Sequence, residues 1–203
     1  MNKKSPFKKV LANPIGLAVV IYFAFTLILA LFGGLILRID PNNPDVLGVL
    51  QAPSSKHLLG TDSAGRDVLA RLIFGTRTTL LAALLVSITA MLVGVPTGLL
   101  AGYYGGKFDA IASWFANMFM SLPAMIVLLS VRATIGPSLF MSMLIFGLLI
   151  APGFFRLTRT AVMSVRNELY VDAARVSGLS DTRIIGRHIL TVVRAPLIIQ
   201  TDR

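Results

Sequence analysis

Charge-free apolar stretches divide the chain. Residues 15–37 hold no charged side chain over 23 positions, residues 80–101 and 110–131 none over 22 each, and residues 133–155 none over 23. Each passes the roughly 20 residues a helix needs to cross a hydrocarbon core. The pattern predicts an all-α, polytopic transmembrane helix bundle with four full spans. A fifth apolar stretch, Ile189–Gln200, has 12 residues and includes Arg194. As a helix it rises about 18 Å against a core of about 30 Å, so it predicts a partial fifth span within a truncated chain. The expected organisation is an N-terminal segment with the first helix over 1–37, an outer loop over 38–79, and an incomplete helical core over 80–203 that carries a long inner loop at 156–190.

Composition and charge narrow this picture. The 203 residues are 55% hydrophobic and 14% charged, where a soluble domain runs near 45–50% apolar and about 25% charged. A single soluble core of this size cannot bury so much apolar surface, and a lipid bilayer is the expected solvent. The first stretch follows Lys3, Lys4, Lys8 and Lys9, as a signal peptide does. However, it is about twice the usual apolar length and no small-residue cleavage site follows, so it is read as an uncleaved helix. The net charge of +10 is a topology signal. With the N-terminus inside, inner segments hold 12 Lys and Arg residues and outer segments six, as the positive-inside rule requires. Without cysteine there is no thiolate metal site or cysteine nucleophile. No paired carboxylates or histidine cluster appear, and the sequence nominates no catalytic residue, metal ligand or cofactor.

Local patterns fill in the segments. In the outer loop Asp62 is an N-cap candidate. Val68, Leu69, Leu72 and Ile73 lie at helical spacing and Asp67 with Arg71 forms an i,i+4 pair, which predicts a short amphipathic helix at the outer interface that turns at Gly75 into the second span. Gly94, Gly98 and Gly102 place three residues without side chains on one face, a seam for a neighbouring helix. Pro96, Pro123 and Pro152 each interrupt a span, consistent with a bundle bent around a pathway. Asn117 and Ser121, one turn apart, either line a route for solute or make interhelical hydrogen bonds. The charge-free spans contain no ionisable group of the sort a proton- or sodium-coupled carrier uses, so energy is expected from elsewhere. Residues 156–191 predict helix, tight turn, helix. Gly178 takes the left-handed position that ends the first helix, Ser180 caps the second, Ala173 and Ala174 offer a small-residue surface to a partner, and Ile184, Ile185, Ile189 and Leu190 form an apolar stripe.

Asp172-Ala173-Ala174-x-x-x-Gly178, followed by an apolar-basic helix ending His188-Ile189-Leu190, resembles the EAA signature of membrane subunits of binding-protein-dependent ABC importers. Gly60-Thr61-Asp62-x-x-Gly65-Arg66-Asp67-x-Leu69-x-Arg71, with Asn13-Pro14 before the first span, resembles the second permease subunit of the dipeptide, oligopeptide and nickel branch. The resemblance implies a multi-pass inner-membrane permease with a cytoplasmic N-terminus, not itself an enzyme. It further implies a translocation pathway for peptides, nickel or related small solutes, and an inner loop acting as a coupling helix on the ATPase. Asp172, Ala173, Ala174, Gly178, Leu179 and Ser180 are its implied coupling residues. The implied partners are a second permease subunit, cytoplasmic ATP-binding subunits and an extracytoplasmic solute-binding protein. The departures are Asp172 for the signature's Glu, Thr191 for the family's Pro after Ile-Leu, and the absence of a complete fifth and a sixth span.

Two alternatives stand beside this reading. One is a non-functional truncated remnant of such a permease. The other is a membrane-tethered regulator, because Ala173-Ala174-Arg175-x-x-Gly178-Leu179-Ser180 also resembles the turn of a DNA-binding helix-turn-helix. A tether needs only one span and that motif needs a third helix for its core, so nucleic acid is not an expected partner.

Overall fold

The structure, a computed structural model, describes residues 13–36, 40, 41, 43, 45 and 48–191. Among these residues it is built from helices: α1 (Pro14–Ile36), α2 (Val68–Tyr104), α3 (Gly106–Ser121), α4 (Ala124–Ile135), α5 (Leu139–Val165), α6 (Leu169–Val176) and α7 (Asp181–Arg183), which runs into a π-helical stretch, Ile184–Ile189. The chain forms two compact units that divide after Leu81.

In the first unit, Asn13 caps α1 by accepting a hydrogen bond from the Ile15 amide at 3.0 Å. Pro14 occupies the first helical position, where its missing N–H costs nothing. The helix is apolar on every side and almost wholly exposed, as befits a helix whose solvent is lipid. Near its end Gly33 lies so close to Ile73 Cγ2 that a Cβ there would overlap it, and a Cβ on Gly34 would touch the Phe74 ring at 3.5 Å.

The expected amphipathic helix and second span are one helix. α2 runs for 37 residues without a break at Gly75, about 55 Å long, well beyond the hydrocarbon core. Pro96 and Pro152 also lie inside continuous helices. Only Pro123 breaks one: α3 and α4 meet at Leu122–Pro123 with a bend of 79°. Among the described residues three helices are long and apolar enough to cross a membrane, which makes four spans if the bent pair counts as one. The helices also extend past the charge-free windows, so Asp109, Arg132, Arg156 and Arg159 stand within helical segments rather than outside them.

The second unit is organised on the contact of α2 with α5. Gly94 meets Ala151 and Phe154, Gly98 meets Phe155 and Thr158, and Gly102 meets Arg159 and Val162. Both partners advance together, so the two helices run parallel. The intervening chain must return to the opposite end between them, and α3 with α4 makes that return. The expected partial fifth span falls on residues 189–200, of which 192–200 lie outside the described residues.

Candidate functional site

The α2–α5 seam fixes the frame. A Cβ added at Gly98 would lie 2.6 Å from the Phe155 carbonyl oxygen and 2.8 Å from Thr158 Cβ. At Gly102 it would lie 2.7 Å from Val162 Cβ, and Gly94 is closed off by the Ala151 carbonyl. Gly147 answers from α5, where a Cβ would be 2.7 Å from Thr89 Cβ. Backbone stands where side chains ordinarily stand, which gives dispersion contact along a long stretch. Arg166, at the C-terminal end of α5, donates from Nη1 to the Gly102 carbonyl at 3.0 Å and ties the two helix ends together.

Against those ends sits the 166–191 loop. Val171 and Ala174 of α6 and Ile184 and Ile189 of the π-helical stretch are buried with Tyr103, Phe154 and Val162. Ile184 and Ile189 are five residues apart and both fully enclosed. The wider π-helical turn, whose Leu190 amide donates to the Ile185 carbonyl, brings that spacing onto one face. The turn between the two helical pieces is a Schellman closure. Gly178 has φ +76°, its amide donates to the Arg175 carbonyl at 2.9 Å, and the Leu179 amide donates to the Ala174 carbonyl at 3.2 Å. Half-buried Leu179 packs on the same apolar cluster. Ser180 stands at the N-cap position, but its hydroxyl does not cap the helix; it lies 3.3 Å from the Thr182 hydroxyl.

One polar chain joins this loop to α2. The Tyr103 hydroxyl donates to Asp181 Oδ1 at 2.7 Å. The Arg175 guanidinium lies 5.3 Å from the centre of the Tyr103 ring and donates to Asp172 Oδ1 at 3.0 Å. Tyr103 was not singled out from sequence: an aromatic at a helix end has no distinguishing spacing.

The small-residue surface does not survive intact. Ala174 is buried in the bundle and Ala173 is exposed, so the two alanines do not form one surface. What α6 presents outward is Leu169, 86% exposed, Ala173, and Val176, 90% exposed. These lie at i, i+4 and i+7, one stripe of a helix. Leu169 and Val176 were missed because their spacing was visible only once the helix limits were known.

On α3, Asn117 and Ser121 do not pair with each other. Asn117 Oδ1 accepts from Arg156 Nη2 at 2.6 Å, and the Ser121 hydroxyl donates to the Met118 carbonyl at 2.7 Å. Arg159 holds Asp109 through both carboxylate oxygens, with Nη2 at 2.6 Å from Oδ2.

The 48–67 loop of the first unit is held by carboxylates. Asp62 Oδ1 accepts from the Ala64 and Arg66 amides at 2.8 and 3.0 Å, and its Oδ2 pairs with Arg66 and Arg71. The Arg66 amide leads these bonds in lowering its pKa from 3.8 to about 2. Asp67 caps α2 through the Ala70 amide at 2.8 Å and meets His57 Nδ1 at 2.9 Å. The expected Asp67–Arg71 pair is thus replaced: Arg71 goes to Asp62, and Asp67 turns to the buried histidine. Burial pushes the Asp67 carboxyl up, but the Ala70 amide and His57 outweigh it and hold it below its ordinary value.

The apolar helices, the parallel glycine-seamed pair and the helix–turn–helix loop seated on its ends describe an all-α polytopic membrane protein. The family described as binding-protein-dependent transport system inner membrane component matches residues 94–200, and the chain belongs to that family. Among its relatives, the probable D,D-dipeptide transport system permease protein DdpC of Escherichia coli (strain K12) is 34% identical over 190 residues, covering 94% of this chain and 64% of that protein. The dipeptide transport system permease protein DppC of Alkalihalophilus pseudofirmus is 31% identical over 197 residues, 97% and 65% of the two chains. The glutathione transport system permease protein GsiD of Pectobacterium atrosepticum is 34% identical over 140 residues, 69% of this chain and 46% of that one. The chain spans about two thirds of the length of the first two relatives.

Proposed function

We propose that this chain is a membrane-spanning permease subunit of an ATP-driven importer of small peptides, and that its 156–190 loop couples it to a cytoplasmic ATPase. One observation carries the coupling role. α6 buries Val171 and Ala174 on the bundle while Leu169, Ala173 and Val176 form a second apolar stripe on the free side. A helix outside the bilayer has no reason to be apolar on two faces unless a partner covers the second, as for a helix held between a bundle and a partner. Asp172, Gly178, Leu179 and Ser180 serve the loop itself: a pair with Arg175, the turn, its apolar seat and the restart of the helix. The peptide class comes from the relatives, two of which carry dipeptide in their names. A second permease subunit and an extracytoplasmic solute-binding protein complete the assembly, with the N-terminus in the cytoplasm as the Lys and Arg distribution requires.

Val176→Asp is the direct test. It leaves the buried face untouched, so the subunit still inserts in the membrane, and co-purification with the ATPase subunits falls at least tenfold. Undiminished co-purification removes the coupling role from this face. Topology is read separately: a cysteine at Ser55 reacts with an impermeant reagent applied outside intact cells and one at Ser180 does not, and the reverse result overturns the orientation.

A further inference from the structure

Two cavities of the second unit share a wall. One, of about 340 Å³, is apolar and lies among Val93, Phe108, Phe115, Phe119, Ala151 and Phe155. The other, of about 350 Å³, is polar and is lined by Ser113, Asn117, Phe155, Arg156, Arg159 and Thr160. Phe155 belongs to both.

The charges of the polar cavity do not balance. Arg159 has its counter-ion: Nε and Nη2 grip the two oxygens of Asp109, and the Ser113 hydroxyl adds a third bond to that carboxylate at 3.3 Å. Arg156 differs. Its one bond is from Nη2 to the neutral Asn117 amide oxygen, at 2.6 Å, and among the described residues no carboxylate pairs with it. A guanidinium has five N–H donors in a rigid fork that fits a carboxylate in two-point fashion. Here the fork is aimed by one arm, and among the described residues the other donors have no partner, with the Thr160 hydroxyl lining the same cavity. A cation with no counter-ion beside an apolar chamber is the complement of a molecule with an apolar part and one carboxylate.

From this we infer that Arg156, positioned by Asn117, receives the carboxylate of the transported solute, whose apolar side chain lodges across Phe155 in the neighbouring cavity. The ligand class is a small peptide with a free C-terminal carboxylate. This rests on the peptide-importer reading above. The site adds what that reading lacks, a reason inside the membrane subunit for distinguishing a free acid from its amide.

The test uses the assembled importer in proteoliposomes, with each peptide presented by solute-binding protein saturated with it. Uptake of an apolar dipeptide is compared with uptake of the same dipeptide amidated at its C-terminus, and the acid-to-amide ratio is the readout. Because the binding protein is the same throughout, its own preference cancels between variants. Arg156→Gln lowers the ratio by about tenfold or more, the weight of a charge-assisted two-point contact. Arg156→Lys and Asn117→Ala lower it by a smaller factor, one by losing the fork and the other by releasing it. An unchanged ratio in Arg156→Gln, whatever happens to the absolute rates, makes Arg156 a structural residue and overturns the inference. So does loss of the subunit from the complex in all three variants, which places Arg156 at a subunit contact. A ratio change that vanishes when anionic lipid is omitted assigns the site to a lipid phosphate, and also overturns it. If the wild-type importer moves neither peptide while its ATP hydrolysis responds to the binding protein, the peptide reading itself has failed. Wild-type uptake with an unmoved ratio sinks the inference alone.

Discussion

The 48–67 loop and the 166–191 loop are both ordered, yet opposite forces order them. The first has little apolar content to bury. It depends on Asp62, which gathers two backbone amides and two arginines, on Asp67, which takes the Ala70 amide and the His57 ring, and on backbone bonds such as Thr61 to Gln51 at 3.1 Å and Asp45 to Gly65 at 3.2 Å. The second sinks Val171, Ile184 and Ile189 completely into the ends of α2 and α5, and its polar ties to α2 are few: Tyr103 to Asp181, and Arg166 to the Gly102 carbonyl at the loop's very start. Polar bonds specify geometry sharply, because each has a narrow range of distance and angle. Apolar burial is non-directional and allows a seated element to shift as one piece. The second way suits the coupling role proposed above, and the first way holds one fixed loop geometry.

The sharpest way to break this contrast is to empty the apolar seat. Ile184→Ala removes a fully buried side chain and costs about 2–5 kcal/mol, most of it spent on undocking residues 169–190. Amide hydrogen exchange of that segment accelerates by orders of magnitude while residues 48–67 keep their protection. Unaltered exchange in 169–190 means that the polar ties hold the loop, and the contrast is false.

Next comes the turn. Gly178 has φ +76°, and a Cβ there meets nothing within 4 Å. Any penalty is therefore conformational and not steric contact. Gly178→Ala costs about 1 kcal/mol and Gly178→Val more, whereas Gly178→Asn is nearly silent because Asn tolerates the left-handed region. The measurement is ATPase co-purification alongside exchange of 169–190. Equal harm from Ala and Asn assigns some other role to this position.

Much of the second loop was legible in sequence and less of the first. The turn at Gly178 could be read because its conformation is a local property of a helix end. The glycines of α2 could be read as a face because their four-residue period is a helix period, although their partner on α5 required the fold. The ion pairs of the 48–67 loop could not. An i,i+4 rule pairs Asp67 with Arg71 only if both lie on one free helix, whereas Asp67 is the cap and is drawn to His57, ten residues earlier. The helix breaks were also misread. Pro96 and Pro152 are absorbed in long helices and only Pro123 ends one, since neighbouring groups decide whether a freed carbonyl is tolerated.

A smaller effect tests the Tyr103 to Asp181 tie directly. Tyr103→Phe keeps the ring under Arg175 and removes the hydroxyl that donates to Asp181. The loss is about 1 kcal/mol, seen as a few-fold faster exchange in 169–190. A loss as large as that of Ile184→Ala would promote this one bond above the apolar seat and reverse the order of forces argued here.

The smallest effect at neutral pH belongs to Asp62, and it appears only in acid. Its carboxyl is lowered from 3.8 to about 2, led by the Arg66 amide and aided by the Ala64 amide and the two arginines, against a desolvation that opposes them. A lowered folded pKa means that the ionised form is favoured in the folded loop. The contribution to stability is therefore complete above about pH 4 and is lost as the pH falls toward 2. Carbon-detected titration of the Asp62 carboxyl, with the amide shifts of Ala64 and Arg66, follows this window. Asp62→Asn keeps an oxygen for the amides but gives up both arginines, so its loop shows no transition tied to this carboxyl. The buried isoleucines and valine of the other loop carry no proton to gain. An acid transition centred near 3.8 in the wild type would mean that the folded loop does not favour the ionised carboxylate, and the 48–67 loop would then owe its order to its backbone bonds alone.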